Sequence, residues 1–385
     1  MGSNVFRFPV QLVFGEGCLE ELKAFVSSFG KHALLVTGSG PTRSLPAVEA
    51  VHSILHSEGI SCTHFHGVEA DPSVETVEAG AGMARENGCD FVIGLGGGSP
   101  MDAAKAIAAL LTNQGPVTEW AGVGNLRKRA RPIICIPTTA GTGSEATSIA
   151  VITDRKRRQK MSIVSQQIYP TLSLVDPALT VGLPPHLTAA TAMDALTHSI
   201  ESYVSRRSWA PTQGLSYRAV QLIAANLERA CADGEDLEAR RSLSMASMIA
   251  GVAFTNAGLG LCHAMAHALG SFCGVSHGVA NAVLLPAVMR FNLPSRPTLF
   301  RELAQALGED VSGMPAETAG AKGIEAVEDL LSRLPLPQSL KELGVKPNSL
   351  EVLASEAFLN TRLRSSNPRE TVLEDVVQVF RAAMG

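Results

Sequence analysis

Five residues carry the chemistry most open to reading. Asp194 and His198 stand four apart in residues 192–199 (AMDALTHS), and His263 and His267 stand four apart in residues 262–269 (CHAMAHAL). His277 follows in Val275-Ser276-His277-Gly278. On a helix a spacing of four puts both side chains on one face. The flanking residues are small or apolar, among them Ala192, Met193, Ala195, Leu196, Ala264, Met265, Ala266 and Ala268, so these positions read as buried. A buried aspartate is rare unless it is paired or bound to a metal. One carboxylate with several imidazoles suits a hard-to-borderline divalent cation. Any single histidine here reads more readily as a core residue with its hydrogen bonds met; the set reads as a metal centre. The HAMAH spacing is also that of a metalloprotease helix, but that chemistry needs Glu directly after the first His. Ala264 stands there, and the hydrolase reading loses its base.

Two glycine-rich turns form a second group. Gly96-Gly97-Gly98-Ser99-Pro100 lies between an apolar run and a helical pattern. Glycine lets backbone approach a pyrophosphate closely, and the free N–H groups of a helix start donate to it. Ser99 reads as the N-cap and Pro100 as the first helical residue of a helix beginning near Met101. The spacing is not the G-x-G-x-x-G fingerprint, and any tight strand-to-helix turn favours glycine. Residues 137–145 (PTTAGTGSE) make a second polar turn of small residues, again directly after an apolar run. Such a turn serves a ribose or phosphate, or simply an ST-turn. Two of them at the carboxyl ends of strands in one sheet lie where open α/β sheets bind ligands.

The elements that must position these groups divide the chain. Residues 33–37, 91–95, 133–136 and 172–175 read as strands, with helical patterns between them at 74–87 and 101–112. Alternation of that kind predicts a parallel, helix-covered sheet. After Pro184-Pro185 the pattern is nearly continuous helix: 187–204, 212–232, 235–253, the His-rich segment, 299–307, 319–334, 350–359 and 371–384. The expected boundary falls near 178–185, giving an α/β domain over 1–180 and an all-helical domain over 181–385.

Composition narrows the class. A length of 385 residues, 45% hydrophobic and 18% charged, is that of an ordinary globular protein of about two domains. A net charge of −4 gives no field that would recruit nucleic acid or an anionic membrane. The basic runs at 127–131 (RKRAR) and 155–160 (RKRRQK) lack interleaved aromatics and read as a solvated loop and a hairpin turn. Seven scattered cysteines with no CxxC pair indicate neither a disulfide framework nor a thiolate zinc site. That usage fits a reducing cytosol. No secretory segment, myristoylation pattern or membrane-length apolar run is read, so a cytoplasmic location is expected.

With these residues in view, the chain resembles the iron-dependent (group III) alcohol dehydrogenase family over nearly its whole length, in particular members of the lactaldehyde–propanediol oxidoreductase type. The resemblance rests on residues 96–106 (GGGSPMDAAKA), 137–145, 193–205 (MDALTHSIESYVS), 258–270 (GLGLCHAMAHALG), 277–292 (HGVANAVLLPAVMRFN) and Asn367-Pro368-Arg369. It implies an N-terminal dinucleotide-binding α/β domain and an all-α C-terminal domain, the dehydroquinate synthase-like architecture, with the site in the cleft between. It implies metal ligation by Asp194, His198, His263 and His277, and a catalytic relay through His267. It implies pyrophosphate contacts from Gly97, Gly98 and Ser99 beside Asp102, and further cofactor contacts from Thr138, Thr139, Thr142, Lys160 and Asp71. The activity implied is hydride transfer between NAD or NADP and a short primary alcohol, diol or aldehyde, by a homodimer or higher homo-oligomer. A divalent cation polarises the substrate oxygen as a Lewis acid. The need for an open fifth position suits Fe²⁺ somewhat better than Zn²⁺, although N/O ligands alone do not decide between them.

The chain departs from the family pattern in two places. NAD-selective members carry Asp after the first strand, where this chain has Gly38, then Ser39 and Gly40. Loss of that carboxylate removes a repulsion against a 2′-phosphate, and Arg43 is near enough in sequence to reach one; NADP(H) use alongside NAD(H) is therefore expected. Where many members have Asp-x-Cys, this chain has Thr361-Arg362-Leu363, so substrate preference does not carry over. Arg362 and Arg364 there are candidates for pairing with an anionic aldehyde, against the plainer reading of a solvated pair. A dehydroquinate-synthase-like metal-dependent lyase is the other reading that shares fold and metal.

Overall fold

The computed structural model describes residues 4–39, 46–157 and 159–385. The chain folds as two compact units, Phe8–Thr180 and Val181–Gly385, the latter joined by residues 4–7. In the second unit the amide of Arg7 donates to Asn256 Oδ1 at 2.8 Å, and Asn256 Nδ2 returns a bond to the Arg7 carbonyl.

The first unit contains strands β1 (Gln11–Phe14), β2 (His32–Gly38), β3 (Ser61–Val68), β4 (Phe91–Gly96), β5 (Gly122–Val123), β6 (Ile133–Pro137), β7 (Ile149–Asp154), β8 (Gln159–Val164) and β9 (Leu172–Val175). Its helices are α1 (Leu22–Val26), α2 (Pro46–Ser57), α3 (Val74–Glu86) and α4 (Gly98–Leu110). Six strands form one sheet in the order β1-β9-β6-β4-β2-β3, every neighbouring pair parallel. Both faces are covered, which is why the central strands are largely apolar. Ala33, Leu35, Phe91, Ile93 and Ile134 pack with residues of α1 and α2. Leu34, Val36, Val92, Ile133 and Cys135 pack with those of α3 and α4. Gly94 lets α4 lie close, since a Cβ there would come within 3.0 Å of the Met101 backbone.

The strands read from sequence are present, as is the hairpin carrying the second basic run, where β7 and β8 pair antiparallel. β1 and β3 are not legible in the sequence. They are the two edges of the sheet, and apart from the buried Val68 their residues are half-buried or exposed. Helix α4 begins at Gly98 with Gly97 as N-cap, three residues before the expected start at Met101. Ser99 is thus not the cap and Pro100 is not the first residue. Proline is tolerated here because the first-turn N–H groups have no partner within the helix.

The second unit contains α5 (Pro185–Val204), α6 (Ala210–Ala232), α7 (Leu237–Ala257), α8 (Leu261–Cys273), α9 (His277–Asn292), α10 (Pro297–Ala306), α11 (Ala316–Ser332), α12 (Leu350–Leu359), α13 (Thr361–Ser366) and α14 (Leu373–Ala382). Helix α5 packs on α6, α7 and α9, and α8 on α9 and α12. Nearly all of α5 is buried, so its polar residues must find partners inside. No single helix among the described residues is long and apolar enough to cross a membrane.

Candidate metal centre

Three helices supply one constellation. Asp194 and His198 lie on α5, His263 in the first turn of α8, and His277 at the start of α9. One ligand atom from each of the four lies within 4.8 Å of the others. The Nε2 atoms of His198, His263 and His277 stand 3.9, 3.7 and 3.6 Å from Asp194 Oδ1. Tetrahedral ligands bonded at about 2.0–2.2 Å are about 3.3–3.6 Å apart, and the three distances to Asp194 Oδ1 approach that separation. Asp194, His198 and His263 are buried, whereas the His277 side chain keeps 29% of its exposure. The His198 ring is stacked between Phe254 and His263, with centroids 4.4 and 4.6 Å away.

The electrostatics favour positive charge here. Burial alone would raise the Asp194 carboxyl, but His198, His277 and His263 outweigh it and hold it well below the usual carboxylate range. Burial alone would lower His263, yet hydrogen bonds to Asp194 and Glu201 push it up to about 9. Asn281, one turn after His277 and fully buried, donates from Nδ2 to Asp194 Oδ1 at 2.7 Å. Its Oδ1 is buried with no hydrogen-bond partner among the described residues. A buried carboxylate and three converging imidazoles together form a donor set that fits a hard-to-borderline divalent ion.

His267 lies one turn after His263, outside the converging group, with its ring 5.4 Å from that of His277. Two neighbours of the cluster are missed by sequence reading. Glu201 accepts the His263 Nδ1–H at 2.7 Å, and Asn281 is the other. Their signal is spacing: Glu201 is seven residues after Asp194 on α5, and Asn281 four after His277 on α9, each on the same helix face as the residue it follows.

In the other unit the two glycine-rich turns face each other at the carboxyl ends of β4 and β6. A Cβ at Gly97 would lie 3.5 Å from Thr139 Oγ1, and one at Gly98 would lie 2.8 Å from Thr142 Cγ2. The Thr138 amide donates to the Gly96 carbonyl, tying the turns together. Such a cradle, opening on the start of α4, suits a pyrophosphate. Ser99 Oγ accepts from the Asp71 amide at 3.2 Å, and Lys160 Nζ pairs with Asp71 at 2.8 Å, so these three expected contacts come together. Asp71 holds a φ of 55°, a strained value for a residue with a Cβ.

Asp102 is used differently. Its carboxylate accepts from Ser144 Oγ at 2.6 Å and the Val151 amide at 2.9 Å. Lys105, fully buried and also missed, donates to the Ser144 carbonyl and Oγ, Thr147 Oγ1 and the Ile149 carbonyl. The i, i+3 pair thus bolts α4 to the second glycine-rich turn. Gly38 ends β2, and the Ser39 amide donates to the Val68 carbonyl. Gly40 and Arg43 lie outside the described residues.

Of the late arginines, Arg364 is committed to structure. It donates to the Phe358 and Thr371 carbonyls and stacks 3.6 Å over the Phe358 ring. Arg362 is half-buried; burial, and then the like charge of Arg207, lowers its pKa.

Comparison with known proteins agrees along the chain. A family model described as "Iron-containing alcohol dehydrogenase" matches residues 9–177, and one described as "Fe-containing alcohol dehydrogenase family, C-terminal" matches residues 188–384. The 1,3-propanediol dehydrogenase of Klebsiella pneumoniae is 41% identical over 356 residues, covering 92% of each chain. The lactaldehyde reductase of Escherichia coli K12 is 37% identical, covering 96% of this chain and 97% of its own. A crystal structure of a 1,3-propanediol oxidoreductase superposes with a TM-score of 0.97 at 38% identity, covering all of both chains.

Proposed function

The chain belongs to the iron-containing alcohol dehydrogenase family, a metal-dependent class of alcohol dehydrogenases and aldehyde reductases, and on that premise we propose that it interconverts short primary alcohols or diols and their aldehydes at an Fe²⁺ centre, using NAD(H) and NADP(H). The observation that carries the reading is the convergence of Asp194, His198, His263 and His277 on one point. When bound, the metal polarises the alcohol or carbonyl oxygen, and the nicotinamide takes or gives the hydride. Asp194 and the three imidazoles hold the ion. Asp194 offsets one of its two charges in an apolar setting, where that attraction is less screened than in water. His267 moves the proton that the substrate hydroxyl gains or loses. Gly97, Gly98, Ser99, Thr138, Thr139 and Thr142 cradle the dinucleotide, Asp71 and Lys160 close its edge, and Asp102 holds the cradle's shape.

The test is turnover of short aldehydes and diols by anaerobic, Fe²⁺-loaded protein with NADH and with NADPH. Turnover no higher than that of chelator-treated protein would sink the reading. For the cofactor, Gly38 leaves room beside the ribose. Gly38→Asp is expected to shift kcat/KM toward NAD(H), and an unchanged ratio would remove Gly38 from cofactor selection. Zn²⁺ is the alternative ion, read by comparing activity after loading with each.

A second reading is an anionic aldehyde, since a guanidinium such as that of Arg362 pairs well with a carboxylate, sulfonate or phosphonate. Arg362→Ala should then lower the ratio of charged to neutral aldehyde turnover. Free cysteines throughout the described residues support a reducing cytoplasm, and we expect a homodimer or larger homo-oligomer, which sedimentation would measure.

A further inference from the structure

Glu201 is a carboxylate inside the helical unit with only 3% of its side chain exposed. A charge so placed costs several kcal/mol unless it is compensated. Three donors meet it. Oε2 accepts from His263 Nδ1 at 2.7 Å and from the Gly260 amide at 2.9 Å, and Oε1 accepts from the Cys262 amide at 2.7 Å. Two of these are amides at the start of α8, which have no partner within the helix. The approach requires glycine at 260, where a Cβ would lie 2.9 Å from Glu201 Oε1 and 2.8 Å from Asn367 Oδ1. Asn367 finishes the same turn by accepting from the Leu261 amide at 3.2 Å. The amides of 260, 261 and 262 are therefore all assigned, and α5 and α8 are joined through one carboxylate.

No merely structural need calls for an anion there, because a neutral oxygen would cap a helix at lower desolvation cost. What the charge does answer is the constellation across the His263 ring. We propose that Glu201 is the positioning residue and second counter-charge of the metal centre, an inference that rests on the ligand assignment proposed above. By holding Nδ1–H it fixes the His263 tautomer and keeps Nε2 aimed at the point where Asp194, His198 and His277 converge. With Asp194 it brings two negative charges to a divalent cation, so the ion, its carboxylate ligand and Glu201 sum to zero inside an apolar unit. Carboxylates placed behind a ligating histidine in this way typically govern affinity by 10–100-fold.

The experiment uses Co²⁺ as the probe, titrated against a competing chelator and followed by its visible absorption. Wild type, Glu201→Gln and Glu201→Asp are compared. Gln is the closer isostere but loses the charge and turns an NH₂ toward a donor; Asp keeps the charge and loses reach. Glu201→Gln is expected to bind Co²⁺ about 10–100-fold more weakly with displaced absorption bands, and Glu201→Asp to fall between it and the wild type. A purely structural acceptor would order them the other way, the isostere being milder. Wild-type affinity in either variant, or tighter binding by Gln than by Asp, overturns the proposal; should Glu201→Gln not fold, Glu201→Asp decides alone. His263→Ala and Asp194→Ala are the controls. If they keep Co²⁺ at full occupancy, the ligand assignment has failed and not the role of Glu201.

Discussion

At the scale of single residues, spacing makes the converging group readable: aspartate and histidine four apart among alanines, a histidine pair at the same spacing, then one more histidine. What spacing could not show was the partner of each of these side chains. Glu201 sits between Ile200 and Ser202 near the end of a long helix, where a glutamate is usually solvated. Only the arrival of α8 from sixty residues downstream buries it. The distinction between ligand and relay is testable on two histidines of one helix. His263→Ala should lose its metal. His267→Ala should keep wild-type metal content and lose roughly 10²–10⁴-fold in kcat, the usual contribution of a proton-transfer group. Metal analysis beside kcat on each purified variant checks it, and parallel loss of metal in both would make His267 a ligand.

At the scale of elements, the central strands announce themselves because both of their faces are buried, and the edge strands do not because theirs are not. β3 reads SCTHFHGV, too polar for an apolar run and too irregular for clean alternation. The start of α4 is easily misplaced because glycine and proline look like loop, yet both fit a helix's first turn. That turn yields an expectation. Gly98→Ala must push Thr142 aside from 2.8 Å, distorting the cradle. KM for the dinucleotide should rise roughly tenfold or more, about 1.4 kcal/mol, at unchanged metal content; an unchanged KM would show that this turn does not meet the cofactor. The neighbouring loop carries Glu145, whose carboxyl burial pushes up to about 7, partly offset by Lys105. A carboxyl with a raised pKa favours the folded state most when protonated. Its contribution is complete below about 4.5 and is lost as pH rises through about 7. Glu145→Gln should therefore flatten the pH dependence of stability across that window, measured as urea midpoints at pH 5 and pH 8. Parallel curves for variant and wild type would remove Glu145 as the cause.

At the scale of the whole molecule, ligand linkage acts on the helical unit that carries the constellation. A metal present at a hundred times its Kd adds about 2.7 kcal/mol to the unit that binds it, which for a unit of this size is roughly 5–10 °C in Tm. Chelation should lower the midpoint of the helical unit by that order, with recovery on adding Fe²⁺ anaerobically; scanning calorimetry reads it, and an unmoved midpoint would deny metal to this unit. The division into a strand-bearing half and a helical half is legible because the hydrophobic period changes near Pro184, whereas the pairing of distant residues is not, because it has no local signature. Asn367 is the case in point. It accepts from Leu261 and is held in turn by Asn292, so the turn that presents His263 depends on a side chain 106 positions beyond Leu261. During synthesis, α5 and α8 leave the ribosome long before that asparagine exists. The turn that presents His263 is thus unfinished until translation has passed residue 367, so the helical unit closes around its constellation only when nearly all of the chain is available.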